Sequence, residues 1–104
     1  MPAKYTPAAV SRSLATVGEH VRTWRKLNRV TQALLAERAG VSVPTVQALE
    51  AGRPVSTDTL ARVLRGLGVL DMLTGALDPM NTDVGRLRAH QTLPERVRAP
   101  KAPR

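Results

Sequence analysis

The sequence predicts an all-α fold, a compact five-helix domain with an N-terminal helical extension and a basic C-terminal tail. Three observations predict it. Apolar residues make up 42% of the 104 residues, but Tyr5 and Trp24 are the only aromatics, so the core must be built from Leu, Val and Ala. That composition suits close-packed helices better than a β-sandwich, whose strands favour aromatic and β-branched residues. Apolar residues then recur at steps of three and four, and Ser, Thr and Gly punctuate the segments where helices begin and end.

The first helix starts near Thr6-Pro7, which reads as an N-cap followed by proline at the first helical position. Val10, Leu14, Val17, Val21 and Trp24 form one face, reaching about Leu27. Gly18 lies inside this run and costs about 1 kcal/mol relative to alanine, so it marks a kink or a break, and one helix or two are both open. Thr31 caps a second helix, Gln32 to Ala39, with Leu35, Ala36 and Ala39 facing inward and Gly40 ending it. Ser42 caps a third, with Val46 and Leu49 inward and Gly52 as its stop; Pro44 falls in the first turn, where a missing N–H is harmless. Arg53 to Val55 form a loop. Ser56 caps a fourth helix whose inward residues are Leu60, Val63, Leu64 and Leu67, with Asp58 placed to pair with Arg62 and Gly68 as its end. Leu70, Met72, Leu73, Ala76 and Leu77 suggest a short fifth helix before Pro79. From Pro94 to Arg104, three prolines and four basic residues predict an extended or disordered end.

The net charge of +8 is unevenly spread: residues 1–30 carry +5, residues 31–79 carry −1 and residues 80–104 carry +4. Two basic flanks around a near-neutral centre point to a polyanionic partner, or to a solubilising surface with a solvated tail. There is no cysteine, which excludes disulfides and thiolate metal sites. No stretch has the length of a signal-peptide core or of a bilayer span, so a cytoplasmic location away from membranes is expected.

The stretch from Thr31 to Gly52 carries the chemistry. Ala36 is small where the second and third helices cross, and Gly40 makes the sharp turn between them. Val41, Val46 and Leu49 fix the third helix on the second. What remains outward is Val43, Pro44, Thr45, Gln47 and Ala48, on a helix presented so that it fits the DNA major groove.

This stretch resembles the phage-repressor (Cro/CI, or XRE) helix-turn-helix family, in its order Thr-Gln, Leu-Ala, Ala-Gly-Val-Ser, an apolar residue, then Leu-Glu-x-Gly. The likeness implies a phage-repressor-like domain over 17–78, between an extension at 1–16 and a tail at 79–104. It implies that Gln32 and the backbone N–H groups opening the second helix grip a phosphate. Ser42 and Thr45 become candidates for phosphate or base contacts, with Ser42 equally readable as a cap alone. Val43, Pro44, Gln47 and Ala48 take base-facing positions. Of these, Gln47 can bond adenine with both ends of its amide, while Val43 and Ala48 suit thymine methyls. Gln47 is otherwise a solvated helix residue. Many relatives carry more polar residues here, so shape and phosphate contacts should supply much of the affinity. Arg25 and Glu50 match a family ion pair that is structural. Arg53, with Arg22, Lys26 and Arg29, is a candidate phosphate contact or a solvated charge, and Trp24 reads as core.

Two further expectations follow. The run from Val55 to Asp71 and the Arg/Pro tail resemble HipB-type antitoxins, which implies autorepression of an operon and a HipA-like Ser/Thr kinase toxin as partner. The alternatives are an autonomous repressor, or an interaction module that has lost DNA binding. A homodimer on double-stranded operator DNA is expected because one helix reads only a few base pairs. Val69, Leu70, Leu73 and Leu77 are the candidate dimer interface, or else close the monomer core; Met80, Val10 and Leu14 are further candidates for that contact. No cofactor or metal is expected. His20 and His90 have no carboxylate or nucleophile at catalytic spacing, and no phosphate loop or zinc motif occurs, so an enzyme is not expected.

Overall fold

A computed structural model describes residues 5–91 of the chain, so the extended end expected from Pro94 onward lies outside the described residues. The described residues form α1 (Ala8–Leu27), α2 (Gln32–Ala39), α3 (Val43–Glu50), α4 (Thr57–Leu67), α5 (Leu70–Leu77), a 3-10 turn (Pro79–Asn81) and α6 (Asp83–Ala89), with no strand among them. The chain divides into two compact units, Met1–Asp71 and Met72–Arg104.

In the first unit α1 is one unbroken helix of 20 residues. Gly18 is there for contact, not bending. A Cβ built on it would fall 2.5 Å from the Leu49 carbonyl oxygen and 2.6 Å from that of Glu50, so only glycine lets α1 touch the end of α3. The start of α1 differs slightly from expectation: Pro7, not Thr6, is the cap, and its carbonyl accepts from the N–H groups of Val10 and Ser11. Val10 is exposed, so the inward face begins lower, with Val17 and Val21.

At its other end α1 closes with paired reverse hydrogen bonds, Arg29 N–H to the Lys26 carbonyl and Val30 N–H to the Arg25 carbonyl. Arg29 takes the left-handed position of this cap at φ 56°, where glycine is the usual occupant. Val30 just beyond it is buried, and the Asn28 amide donates to the Leu67 carbonyl at 3.1 Å, tying the end of α1 to that of α4.

The three shorter helices are capped as their sequences predict. The side chains of Thr31, Ser42 and Ser56 accept from the N–H groups of Leu34, Thr45 and Thr59. Gly40 ends α2 at φ 70°, turning the chain toward α3 in the three residues Gly40, Val41 and Ser42. The Arg62 side chain bonds Asp58 at 2.7 Å along α4.

Packing follows from these boundaries. α1 lies on α3, and α2 lies on both α3 and α4. The core is Val21, Val30, Leu35, Ala36, Ala39, Val46, Leu49, Val63, Leu67 and Val69, with Trp24, Val41, Val43, Val55, Leu60 and Leu64 packed against it. Trp24 is only partly buried against it and Tyr5 is exposed, so its fully buried members are all aliphatic. Val69 is therefore a core residue that closes the first unit, and it is not available as a dimer contact.

In the second unit, residues 79–89 are ordered as the 3-10 turn and α6, where the sequence predicts only a basic tail. Local polar bonds build them. Asp78 caps the 3-10 turn by accepting from Met80 N–H, Thr82 caps α6 by accepting from Gly85 N–H, and the Asn81 amide donates to the Gly75 carbonyl at 2.7 Å. Arg86 pairs with Asp83 and also donates to the Met80 carbonyl. None of the residues of the 3-10 turn or α6 is buried.

Candidate nucleic-acid interface

α3 is short and amphipathic, and its two faces have separate tasks. Val46 and Leu49 are 0% and 4% exposed and anchor it. Ser42, Pro44 and Gln47 are exposed on the opposite side, with Thr45 and Ala48 half-exposed beside them. Val43 departs from its expected role: it is half-buried and leans on the core, so little of it is left for a base. Gly40 and the Ser42 cap fix the angle at which this helix leaves α2, and a helix held on one side by a packed core suits insertion into the major groove.

Ser42 is the cap of α3. Its oxygen accepts from Thr45 N–H at 3.3 Å, and the two hydroxyls bond each other at 2.8 Å. Both side chains are thus oriented before any ligand arrives, and each hydroxyl keeps further capacity toward a phosphate or base.

Beside α3 an open groove of about 770 Å³ is lined by Arg22, Arg25, Thr31, Gln32, Ala33, Val43, Gln47, Glu50 and Ala51. It joins the beginning of α2 to the middle of α3. Of the expected contact residues it gathers Gln32, Val43 and Gln47; Ser42, Pro44, Thr45, Ala48 and Arg53 lie outside its lining. Of its two cations Arg25 is engaged by Glu50 and Arg22 is exposed, and their spacing of three on α1 is the sequence signal that places both there.

At the floor of the groove Arg25 grips Glu50 with two bonds, Nε to Oε2 at 2.7 Å and Nη2 to Oε1 at 3.1 Å. The third arm, Nη1, donates to the Val30 carbonyl at 3.1 Å. The side chains are only 14% and 5% exposed, so the pair is largely shut off from solvent. The bond to Glu50 raises the Arg25 pKa above the usual guanidinium value, burial opposes this, and the Glu50 charge reinforces it. A raised pKa contributes stability that is fully present below the ordinary value and lost only as pH climbs through the raised one, so Arg25 stays charged across the neutral range.

Gln32 does not point freely at solvent. Its Nε2 donates to Glu50 Oε1 at 3.1 Å, and its Oε1 accepts from Gln47 Nε2 at 3.4 Å. The sequence assigns Gln32 to a phosphate and Gln47 to a base separately; the bond between them joins two helices across 15 positions, which no spacing predicts. Lys26, Arg29 and Arg53 are exposed on the same unit.

Leu70 and Leu73 are half-exposed, while Leu77 is 73% exposed; Met72 and Met80 are exposed as well. No helix among the described residues is long and apolar enough to cross a membrane.

A supported helix presenting polar side chains, joined to its predecessor by a tight glycine turn, defines a helix-turn-helix DNA-binding module. Residues 21–71, from the middle of α1 into the first turn of α5, match the helix-turn-helix family, which supports the Cro/CI (XRE) likeness and a role in DNA-binding transcription regulation. No curated protein and no solved structure gives a match.

Proposed function

We propose that this protein is a sequence-specific operator-binding repressor acting as a homodimer, and that it is the antitoxin of a HipBA-like pair. The observation that carries the DNA-binding reading is the outward face of α3, where Thr45 and Gln47 stand beside a groove whose side chains are already hydrogen-bonded in place. Basic residues flank it, and the chain as a whole is strongly positive. Two copies are needed because one such helix covers a few base pairs, and half-sites about one DNA turn apart multiply the discrimination. Leu70, Leu73 and Leu77 are the apolar residues offered for that association; Val69 is withdrawn from it by its burial. The kinase-toxin partner rests on the likeness of the Val55–Asp71 run to HipB-type antitoxins. The protein then works in the cytoplasm.

The test is duplex binding by fluorescence anisotropy, starting from a site selected out of a randomised pool. Binding should weaken steeply with salt, in proportion to the phosphates neutralised. Replacing Thr45 and Gln47 together by alanine should remove sequence preference while leaving the fold and the salt dependence in place. Affinity independent of salt, or unchanged preference in the double variant, overturns the assignment of α3. Deleting residues 83–104 should disrupt binding to a HipA-like kinase more than binding to DNA. Without any such kinase interaction, the protein is an autonomous repressor.

A further inference from the structure

The amide of Gln47 carries two N–H donors and one acceptor oxygen, and what it offers a base depends on how many remain unengaged. The row of bonds behind it dictates this. Both Glu50 oxygens accept here, from Arg25 and from Gln32, so the Gln32 amide turns its nitrogen toward Glu50. That leaves Gln32 Oε1 facing Gln47, and Gln47 must meet it with its own nitrogen, at 3.4 Å. The charge pair on the scaffold therefore fixes the direction of every amide out to the surface of α3.

We propose that Gln32 is a specificity-determining positioning residue. By engaging one N–H of Gln47 it leaves that amide with one donor and one acceptor. This is the complement of adenine, which shows an acceptor at N7 and a donor at N6 in the major groove. Guanine shows two acceptors there, N7 and O6, and would need both N–H groups. Gln32 thus biases Gln47 toward adenine and against guanine without touching either base. The 3.4 Å bond is long, so the bias is a modest factor and not an absolute rule.

This rests on the DNA-binding reading above, and the experiment separates the two. A randomised duplex pool is selected with the full chain, and the base position whose preference vanishes in Gln47→Ala is identified. At that position the unmodified chain should prefer adenine to guanine. In Gln32→Met the preference should fall by about threefold to tenfold, part of what one bidentate contact supplies, with the salt dependence unchanged. Gln32→Ala, with a residue well tolerated in a helix, gives the same readout should the methionine variant lose its fold by circular dichroism. Uniform weakening on all sequences with a shallower salt dependence would make Gln32 a phosphate clamp and overturn the proposal. So would an adenine preference that survives both variants, or a guanine preference in the unmodified chain. A pool in which no duplex is enriched would overturn the DNA-binding reading itself.

Discussion

Gly18 presses its bare Cα against the backbone carbonyl of Leu49, close enough that an added Cβ would sit 2.5 Å from the oxygen. Gly52 repeats the theme at the same contact, since a Cβ there would lie 2.8 Å from the Ala15 Cα. Helices α1 and α3 thus meet backbone to backbone. Gly18→Ala is expected to lower stability by about 1–3 kcal/mol through overpacking. Helix propensity alone predicts a gain of about 1 kcal/mol, so the sign decides. A urea midpoint that rises would show that the two helices do not touch.

Arg25→Met should cost about 3 kcal/mol, because Glu50 would be left largely buried without its cation. Arg25→Met combined with Glu50→Met should cost clearly less than the sum of the two single changes. Denaturant unfolding of the three variants measures the coupling, and strict additivity would mean that the pair contributes nothing.

Arg29 occupies a left-handed backbone position at φ 56° that costs a side-chain-bearing residue about 1 kcal/mol. Arg29→Gly should recover about that much stability in a thermal or urea melt. If the guanidinium serves a phosphate, the same variant binds duplex more weakly and with a salt slope smaller by about one. Stability gained with affinity unchanged would assign Arg29 to the solvent.

In the second unit Gly85 abuts the Pro79 carbonyl so closely that a Cβ has no room. Gly85→Ala should therefore open the junction between the 3-10 turn and α6. Amide exchange would show residues 83–89 losing protection while α2 to α4 keep theirs. Gly75→Ala is the control, because the nearest atom to a Cβ there is Asn81 Nδ2 at 3.9 Å. Equal behaviour of the two variants would count against the contact.

The α2–α3 pair was readable because its signals are local. Thr31, Ser42, Gly40 and Gly52 act within a few residues of where they stand, and the inward apolar set follows from helical spacing. Arg25 and Glu50 are 25 positions apart, and only a resemblance links them in the sequence. Gly18 leaves one helix or two open in the sequence, because a glycine needed for close approach and a glycine that interrupts a helix look alike in one dimension. Val69 presented the same difficulty: an apolar residue after a helix stop can close its own core or await a partner, and only burial separates the cases. The ordering of residues 79–89 was missed because it rests on capping bonds and on Gly85, without a buried apolar stripe to announce it. The row from Arg25 to Gln47 spans three helices, and no spacing rule encodes it.

The unbroken α1 is a rod of about 30 Å, and its first two turns stand clear of the core. Because bare glycine backbone meets α3 at Gly18 and Ala15 at Gly52, no side chain cushions the crossing, and the spacing of the rod from α3 is set by main-chain contact.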